Sequence, residues 1–342
     1  MSLDHPTALL RSAIARRTPL LNRLHTEGTD CYRLLHGIAE GAPGLTVDRY
    51  GSLLLVQTFR EPLDGSAVLA LQQTANEALG LQLPIACNHR GPAPAAGAPA
   101  GAPVHEHVPD ATALAEHTCH EAGVKFLIQA RHRGQDPWLF LDLRAGRRSI
   151  RELAAGKSVL NLFAYTCGVG ITAAVAGASL VNNVDFAPSA LEVGQRNAAQ
   201  NGITPARFLT LRSDCLPVLR QLAGIPVQRR GKSIPFEKVE RRQYDLIVLD
   251  PPRFARGAFG SIDVVNDYQS LFKPCVLSLA PGGAVLATNH VPTVVEEDWH
   301  TMLRRCAEKA GRPLRELQAI AIDEDFPSFD GKPPLKLALC SL

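Results

Sequence analysis

Apolar positions follow two regimes along the chain. Residues 8–23 set apolar and basic side chains at helical spacing; 32–36, 45–48 and 53–59 then read as short strands parted by glycine-rich turns, and 65–79 as a helix. Further strands are expected over 124–129 and 138–141. From Ser158 onward short apolar runs alternate with helical patterns. Strands are expected near 158–164, 180–185, 207–211, 244–250 and 283–288, and helices near 171–177, 188–200, 214–223, 263–279 and 296–310. Such alternation predicts a parallel sheet with helices on its faces. Residues 317–322 and 335–340 lie too close together for a helical crossover, so they predict an antiparallel hairpin at the sheet edge. The fold class is therefore α/β: a small α+β domain over 1–135, then a Rossmann-like sheet over 136–342. Residues 91–103 hold only Gly, Pro and Ala, which can neither pack nor sustain an element, and predict a mobile surface loop.

Composition narrows the setting. A chain of 342 residues with 46% hydrophobic content can bury two cores. The start, Met-Ser-Leu-Asp-His-Pro-Thr, lacks a signal pattern, and no apolar run reaches about 18 residues. A cytoplasmic protein without membrane contact is expected. The eight cysteines have no paired spacing and read as buried thiols. A net charge of +3 permits an RNA partner without arguing for one.

The chemistry begins where strand 158–164 meets a helix through Phe163-Ala164-Tyr165-Thr166-Cys167-Gly168-Val169-Gly170. Gly168 and Gly170 let a backbone approach a ligand closely, and Asp185, at the end of the next strand, is placed to bind a ribose diol. Residues 168–173 satisfy the G-x-G-x-x-A dinucleotide pattern, so either NAD or S-adenosylmethionine (SAM) would fit this unit alone. Asp250-Pro251-Pro252-Arg253-Phe254 decides between them. It ends an apolar strand at the carboxyl edge, where its prolines remove two donors and present carbonyls and a carboxylate to a reacting group. A SAM-dependent methyl transfer uses such an element; a nicotinamide enzyme does not.

These segments together resemble the 23S rRNA methyltransferase family of RlmI and RlmK. Tyr32-Arg33-Leu34-Leu35-His36-Gly37 and residues 44–51 resemble its central domain, and Phe140-Leu141-Asp142-Leu143-Arg144-Ala145-Gly146-Arg147 its entry to the catalytic domain. Asn161-Leu162-Phe163-Ala164-Tyr165-Thr166 and Asp250-Pro251-Pro252-Arg253-Phe254 complete the likeness. The resemblance implies that Asn161, Phe163, Tyr165 and Gly168 lie at the methionine end of SAM, Asp185 at the ribose, and Asp214 with Cys215 at the adenine edge. Arg144 and Arg147 would border that pocket. It also implies an RNA partner, a single-stranded or flipped rRNA base, held by Asp250, Pro251, Pro252, Arg253 and Phe254. The family's amino-terminal PUA domain is expected to be absent, since the central-domain motifs begin with Tyr32, and Leu143 and Cys167 replace the usual Gln and Gly.

A third departure bears on the reaction. Carbon 5 of cytosine is a poor nucleophile and needs a thiolate added at carbon 6, whereas guanine N7 already carries an in-plane lone pair. Cytosine-5 members have a Cys after the fifth strand, where this chain reads Ala287-Thr288-Asn289-His290-Val291-Pro292. Thr288-Asn289-His290 resembles the Ser-Asn-Asn of the guanine-N7 branch, making Asn289 and His290 candidate base readers beside Asp250. Asp185 and Asp214 can also be plain helix caps, and Cys167 and Cys215 plain packing residues. Residues 226–243 carry Arg229, Arg230, Lys232, Lys238, Arg241 and Arg242 just before the Asp-Pro-Pro strand, a candidate RNA contact. Cys87, His89, His105, His107, His117, Cys119 and His120 fit no common zinc spacing, and no metal is expected. A small-molecule or protein methyltransferase, and an RNA-binding module of weak chemistry, stand as the competing readings.

Overall fold

The computed structural model describes residues 4–90, 110–132, 136–227, 235–257, 259–333 and 335–342. The chain divides into two compact units, Met1–Leu141 with Asp323–Gly331, and Asp142–Ile322 with Lys332–Leu342.

In the first unit, α1 (Asp4–Thr26) lays Leu10, Ile14, Leu21 and Leu24 into a core shared with Leu34, Val56 and Val68. Strands β1 (Cys31–His36), β2 (Leu45–Tyr50) and β3 (Leu53–Thr58) form an antiparallel meander. Helix α2 (Gly65–Leu79), capped by Asp64, then crosses to β4 (Ile85–His89), which pairs parallel to β3. After the short α3 (Asp110–Leu114), β5 (Glu116–Glu121) and β6 (Val124–Gln129) make a hairpin. Strand β5 is invisible to hydrophobic pattern because only Cys119 and Glu121 are buried along it. The strand expected over 138–141 does not form: Trp138, Leu139 and Leu141 are buried outside any strand, and the chain enters a 3-10 turn at Leu141–Leu143. Asp323–Gly331 joins this unit through Asp325, whose carboxylate accepts the Arg33 N–H at 3.0 Å, and through Phe326, 4.6 Å beneath the Arg33 guanidinium. The linear reading of 136–342 as one domain misses that crossing.

The second unit begins with α4 (Arg144–Leu153) and builds the alternating sheet. Its elements are β7 (Ser158–Leu162), α5 (Gly168–Val175), β8 (Leu180–Asp185), α6 (Pro188–Gln200), β9 (Phe208–Arg212), α7 (Cys215–Leu222) and β10 (Tyr244–Leu249). A hairpin of β11 (Phe254–Gly257) and β12 (Gly260–Asp263) comes next, then α8 (Gln269–Leu277), β13 (Leu279–Asn289), α9 (Glu296–Lys309), β14 (Glu316–Ile320) and β15 (Lys336–Ser341). The helix expected over 263–279 starts late because the Asp263 carboxylate accepts the N–H groups of Val265 and Asn266, closing a turn there. Sheet order is β14-β15-β13-β10-β7-β8-β9, parallel from β13 to β9, with β15 antiparallel to both β13 and β14. The expected edge hairpin is thus present, with its second strand turned inward. Among the described residues no helix is long and apolar enough to cross a membrane.

Candidate active site

Chain order reverses between β7 and β10, whose carboxyl ends form the switch point where open parallel sheets bind ligands. The loop after β7 is unusual. Phe163, Tyr165 and Cys167 take φ of 56°, 49° and 64°, a left-handed backbone that costs about 1–2 kcal/mol per non-glycine residue. Its neighbours hold it there. Tyr165 N–H donates to Asp185 Oδ2 at 2.8 Å, and Phe163 N–H to the Cys215 sulfur at 3.3 Å. Asp185 Oδ1 accepts the Ala187 N–H at 2.8 Å, so this buried carboxylate buckles two loops and keeps lone pairs for a ligand.

The other expected cofactor residues divide between edge and interior. Asn161 is buried; its amide donates to Asn183 Oδ1 at 2.9 Å, and Asn183 donates in turn to Leu209 O, an amide ladder across β7, β8 and β9. Gly170 serves this ladder, since a Cβ there would stand 2.0 Å from Asn183 Oδ1. The bare Cα lets α5 close onto the sheet at this point. Gly168 starts α5 at the edge. Asp214 caps α7 by accepting the Leu216 N–H at 2.9 Å, and burial pushes its carboxyl up. Cys215 is buried and its thiol pushed well up by burial. Arg144 and Arg147, each 2% exposed, fill the first turns of α4. Leu143 is buried and packs close to Gly146: a Cβ on Gly146 would lie 3.1 Å from it and 3.3 Å from Leu286. Sequence reasoning missed Phe186, whose ring comes directly after Asp185 and is 72% exposed. An exposed aromatic directly after a strand-end acid was the available signal.

Across the switch point, Asp250 directly follows β10. Its Oδ1 accepts the Thr288 hydroxyl and lies 2.7 Å from His290 Nε2. Burial raises the Asp250 carboxyl, but His290, Thr288 and Arg147 outweigh it and the net shift is downward. Burial likewise lowers His290, yet Asp250 and Asp142 carry it up to about 9. The pair is an imidazolium against a carboxylate. Asn289 is engaged elsewhere: its buried amide donates to Val264 O at 3.4 Å and accepts the Val291 N–H at 2.9 Å. Pro251 is buried, while Pro252, Arg253 and Phe254 are exposed at the rim. The Arg256 guanidinium stands 5.3 Å from the Phe254 ring centre.

All eight cysteines are buried. Among the described residues no three His, Cys, Asp or Glu side chains stand together as metal ligands, and His105 and His107 lie outside them. So do the loop 91–103 and Arg229, Arg230 and Lys232. Arg241 packs at Gly224 beyond α7, and Arg242 covers the Tyr244 ring at 5.6 Å. Tyr244 opens β10, so both arginines stand at the amino edge, a strand length of roughly 20 Å from Asp250.

The edge suits an adenosyl sulfonium: a buckled loop, a strand-end carboxylate and an uncovered aromatic lie on the cofactor side of the switch point, and a proline-flanked carboxylate on the other. Known proteins agree on the fold and family. The crystal structure of SMU.776 complexed with SAH superposes with a TM-score of 0.75 at 20% identity, covering 100% of this chain and 82% of that one. The SAM-dependent methyltransferase from Agrobacterium tumefaciens gives a TM-score of 0.58 at 19% identity over 92% and 89%. The ribosomal RNA large subunit methyltransferase of Deinococcus radiodurans is 29% identical over 313 residues, 91% of this chain and 72% of its own length. Ribosomal RNA large subunit methyltransferase I of Aeromonas salmonicida is 29% identical over 332 residues, 96% and 77%. A model of S-adenosylmethionine-dependent methyltransferases matches residues 32–340, and the chain belongs to that family.

Proposed function

We propose that this methyltransferase modifies a base of large-subunit ribosomal RNA, presented as a single-stranded or flipped nucleotide, and that guanine N7 is the acceptor in preference to cytosine C5. The names of the relatives support the RNA class. The observation that carries the choice of atom is the ion pair of Asp250 and His290 at the carboxyl edge, where a cytosine-5 enzyme needs a thiolate.

Phe163, Tyr165 and Gly168 would hold the methionine end of SAM, Asp185 the ribose, Phe186 the adenine face, and Asp214 with Cys215 the adenine edge. Arg144 and Arg147 supply positive charge nearby. When bound, SAM supplies an electrophilic methyl group on a sulfonium. Pro251, Pro252 and Phe254 would keep the base in line with it, so proximity and orientation provide most of the rate. Attack by N7 forms a nitrogen–carbon bond, breaks the sulfur–carbon bond and releases no proton. A site whose histidine is already protonated lacks nothing for that reaction, whereas an exocyclic amine must give up a proton. Mass-spectrometric mapping of large-subunit rRNA from a deletion strain tests the reading: loss of one 7-methylguanine supports it. Loss of a 5-methylcytosine overturns the atom, and an unchanged rRNA overturns the substrate class.

A further inference from the structure

His290 is anchored through one ring nitrogen. Its Nε2 faces Asp250 Oδ1, and the Thr288 hydroxyl donates to that oxygen from two residues earlier. Nδ1 has no hydrogen bond among the described residues, on a side chain 36% exposed beyond the end of β13. The frame behind it is rigid. Thr288 is buried, its carbonyl accepts the Tyr268 hydroxyl at 2.8 Å, and the Tyr268 ring meets Trp299 edge-on at 5.6 Å.

The charges facing the ring come from several elements. Asp250 follows β10 and Asp142 precedes α4, both favouring the charged imidazole; Lys336 on β15 and burial oppose it. Arg147 faces Asp250 from α4. The balance puts His290 at about 9, so at neutral pH Nδ1 carries a proton and is a charge-assisted donor.

We propose that His290 is the specificity-determining residue of this site, its Nδ1–H donating to O6 of the target guanine, with Asp250 and Thr288 as positioning residues that hold the ring. This rests on the guanine-N7 reading and extends it to how the base is chosen. Guanine sets the O6 acceptor beside N7; adenine sets the N6 amino donor there, and cytosine sets the N4 amino donor beside carbon 5. A fixed donor accepts the first and opposes the other two. Because the carboxylate leaves the Asp250–His290 pair neutral overall, the charge that builds on the methylated purine meets no net positive field from it.

The test uses full-length protein, tritiated SAM and transcripts of large-subunit rRNA, with SAM affinity measured calorimetrically for each variant as a check on folding. His290→Gln should lower kcat/KM by about 10- to 100-fold, the discrimination of one good base-edge contact. Wild type should lose activity as pH rises through about 9, and Asp250→Asn should move that loss downward toward the ordinary histidine range. Thr288→Ser, which retains the hydroxyl bonded to Asp250, should keep the profile. Transcripts carrying 6-thioguanosine should lose most of the dependence on His290, since sulfur is a weak acceptor. If wild type makes 7-methylguanine while His290→Gln retains its rate and profile, the inference falls and the N7 reading stands. If SAM affinity falls with the rate in every variant, the role is structural and the inference is overturned. If wild type places the methyl group on another atom, or on no RNA, the N7 reading itself fails and takes the inference with it.

Discussion

At Cys167 the chain adopts φ 64° with a side chain that has to be accommodated, and the accommodation is Gly194 on α6. A Cβ added to Gly194 would stand 2.5 Å from the Cys167 sulfur. Gly194→Ala should therefore destabilise the protein by about 1–3 kcal/mol, the usual cost of overpacking. In a Cys167→Gly background most of that penalty should vanish, because glycine takes the left-handed conformation freely and leaves room for the new methyl. Denaturant unfolding of the four proteins of this cycle checks the coupling; additive effects would refute it. Asp185 is the second residue with a measurable part. Asp185→Ala should weaken SAM binding by about 1–3 kcal/mol, the range for lost charged hydrogen bonds. Unchanged affinity by calorimetric titration would remove Asp185 from the cofactor site. The places of Asp185 and Asp250 at the sheet edge were legible in sequence because each directly ends an apolar strand run. The packing of Asn161 and Gly170 against Asn183 was not legible, because a strand buried on both faces gives no alternation to show which side chains stay inside. Thr288 and Phe186 lay between conspicuous neighbours, and only the fold sets the first, buried, against Asp250 and lifts the second to the rim.

At the scale of elements, nearness along the chain and nearness in the sheet part company for Arg241 and Arg242. Residues 226–243 directly precede the Asp-Pro-Pro strand, and nearness along the chain suggests nearness in space. Strand β10 carries the chain across the whole sheet, however, so Arg241 and Arg242, just before it, stand at the edge away from Asp250, while Phe236, earlier in the segment, meets Phe259 of the rim hairpin edge-on at 5.9 Å. Arg241→Ser with Arg242→Ser should accordingly leave RNA affinity and its salt dependence unchanged. Phe254→Ala with Arg256→Ala, on the rim hairpin, should weaken binding of a single-stranded RNA by about 1–3 kcal/mol, the worth of one stacked base. Fluorescence anisotropy across a salt series separates the two pairs, and a salt slope that flattens on losing Arg241 and Arg242 would put those arginines on the RNA after all. The parallel strands and most of their helices were legible because period-two and period-3.6 patterns both persist through a large core. The hairpin was not. Its strands are four residues each, and only Ile262 among its described side chains is buried, so no pattern marks it.

For the whole molecule the decisive property is where its thiols are. A cytosine-5 enzyme adds a thiolate to carbon 6, and 5-fluorocytosine RNA traps that adduct because fluorine blocks the proton loss that would release it. An enzyme acting at N7 forms no covalent bond to its base. Every cysteine of this chain is buried. Cys167 and Cys215 lie beneath the loop after β7, with their thiols pushed up by burial. Cys275 is in the core of α8, and Cys340 pairs with Val285, four residues before Asn289 reaches the edge. Bringing either sulfur to a base would require the sheet to open, at a cost comparable with the stability of a domain. Incubation with SAM and 5-fluorocytosine transcripts of large-subunit rRNA should therefore yield no covalent complex on denaturing gels. A stable, SAM-dependent protein–RNA adduct would show that a thiol reaches the base despite its burial, and would move the enzyme from guanine N7 to cytosine C5.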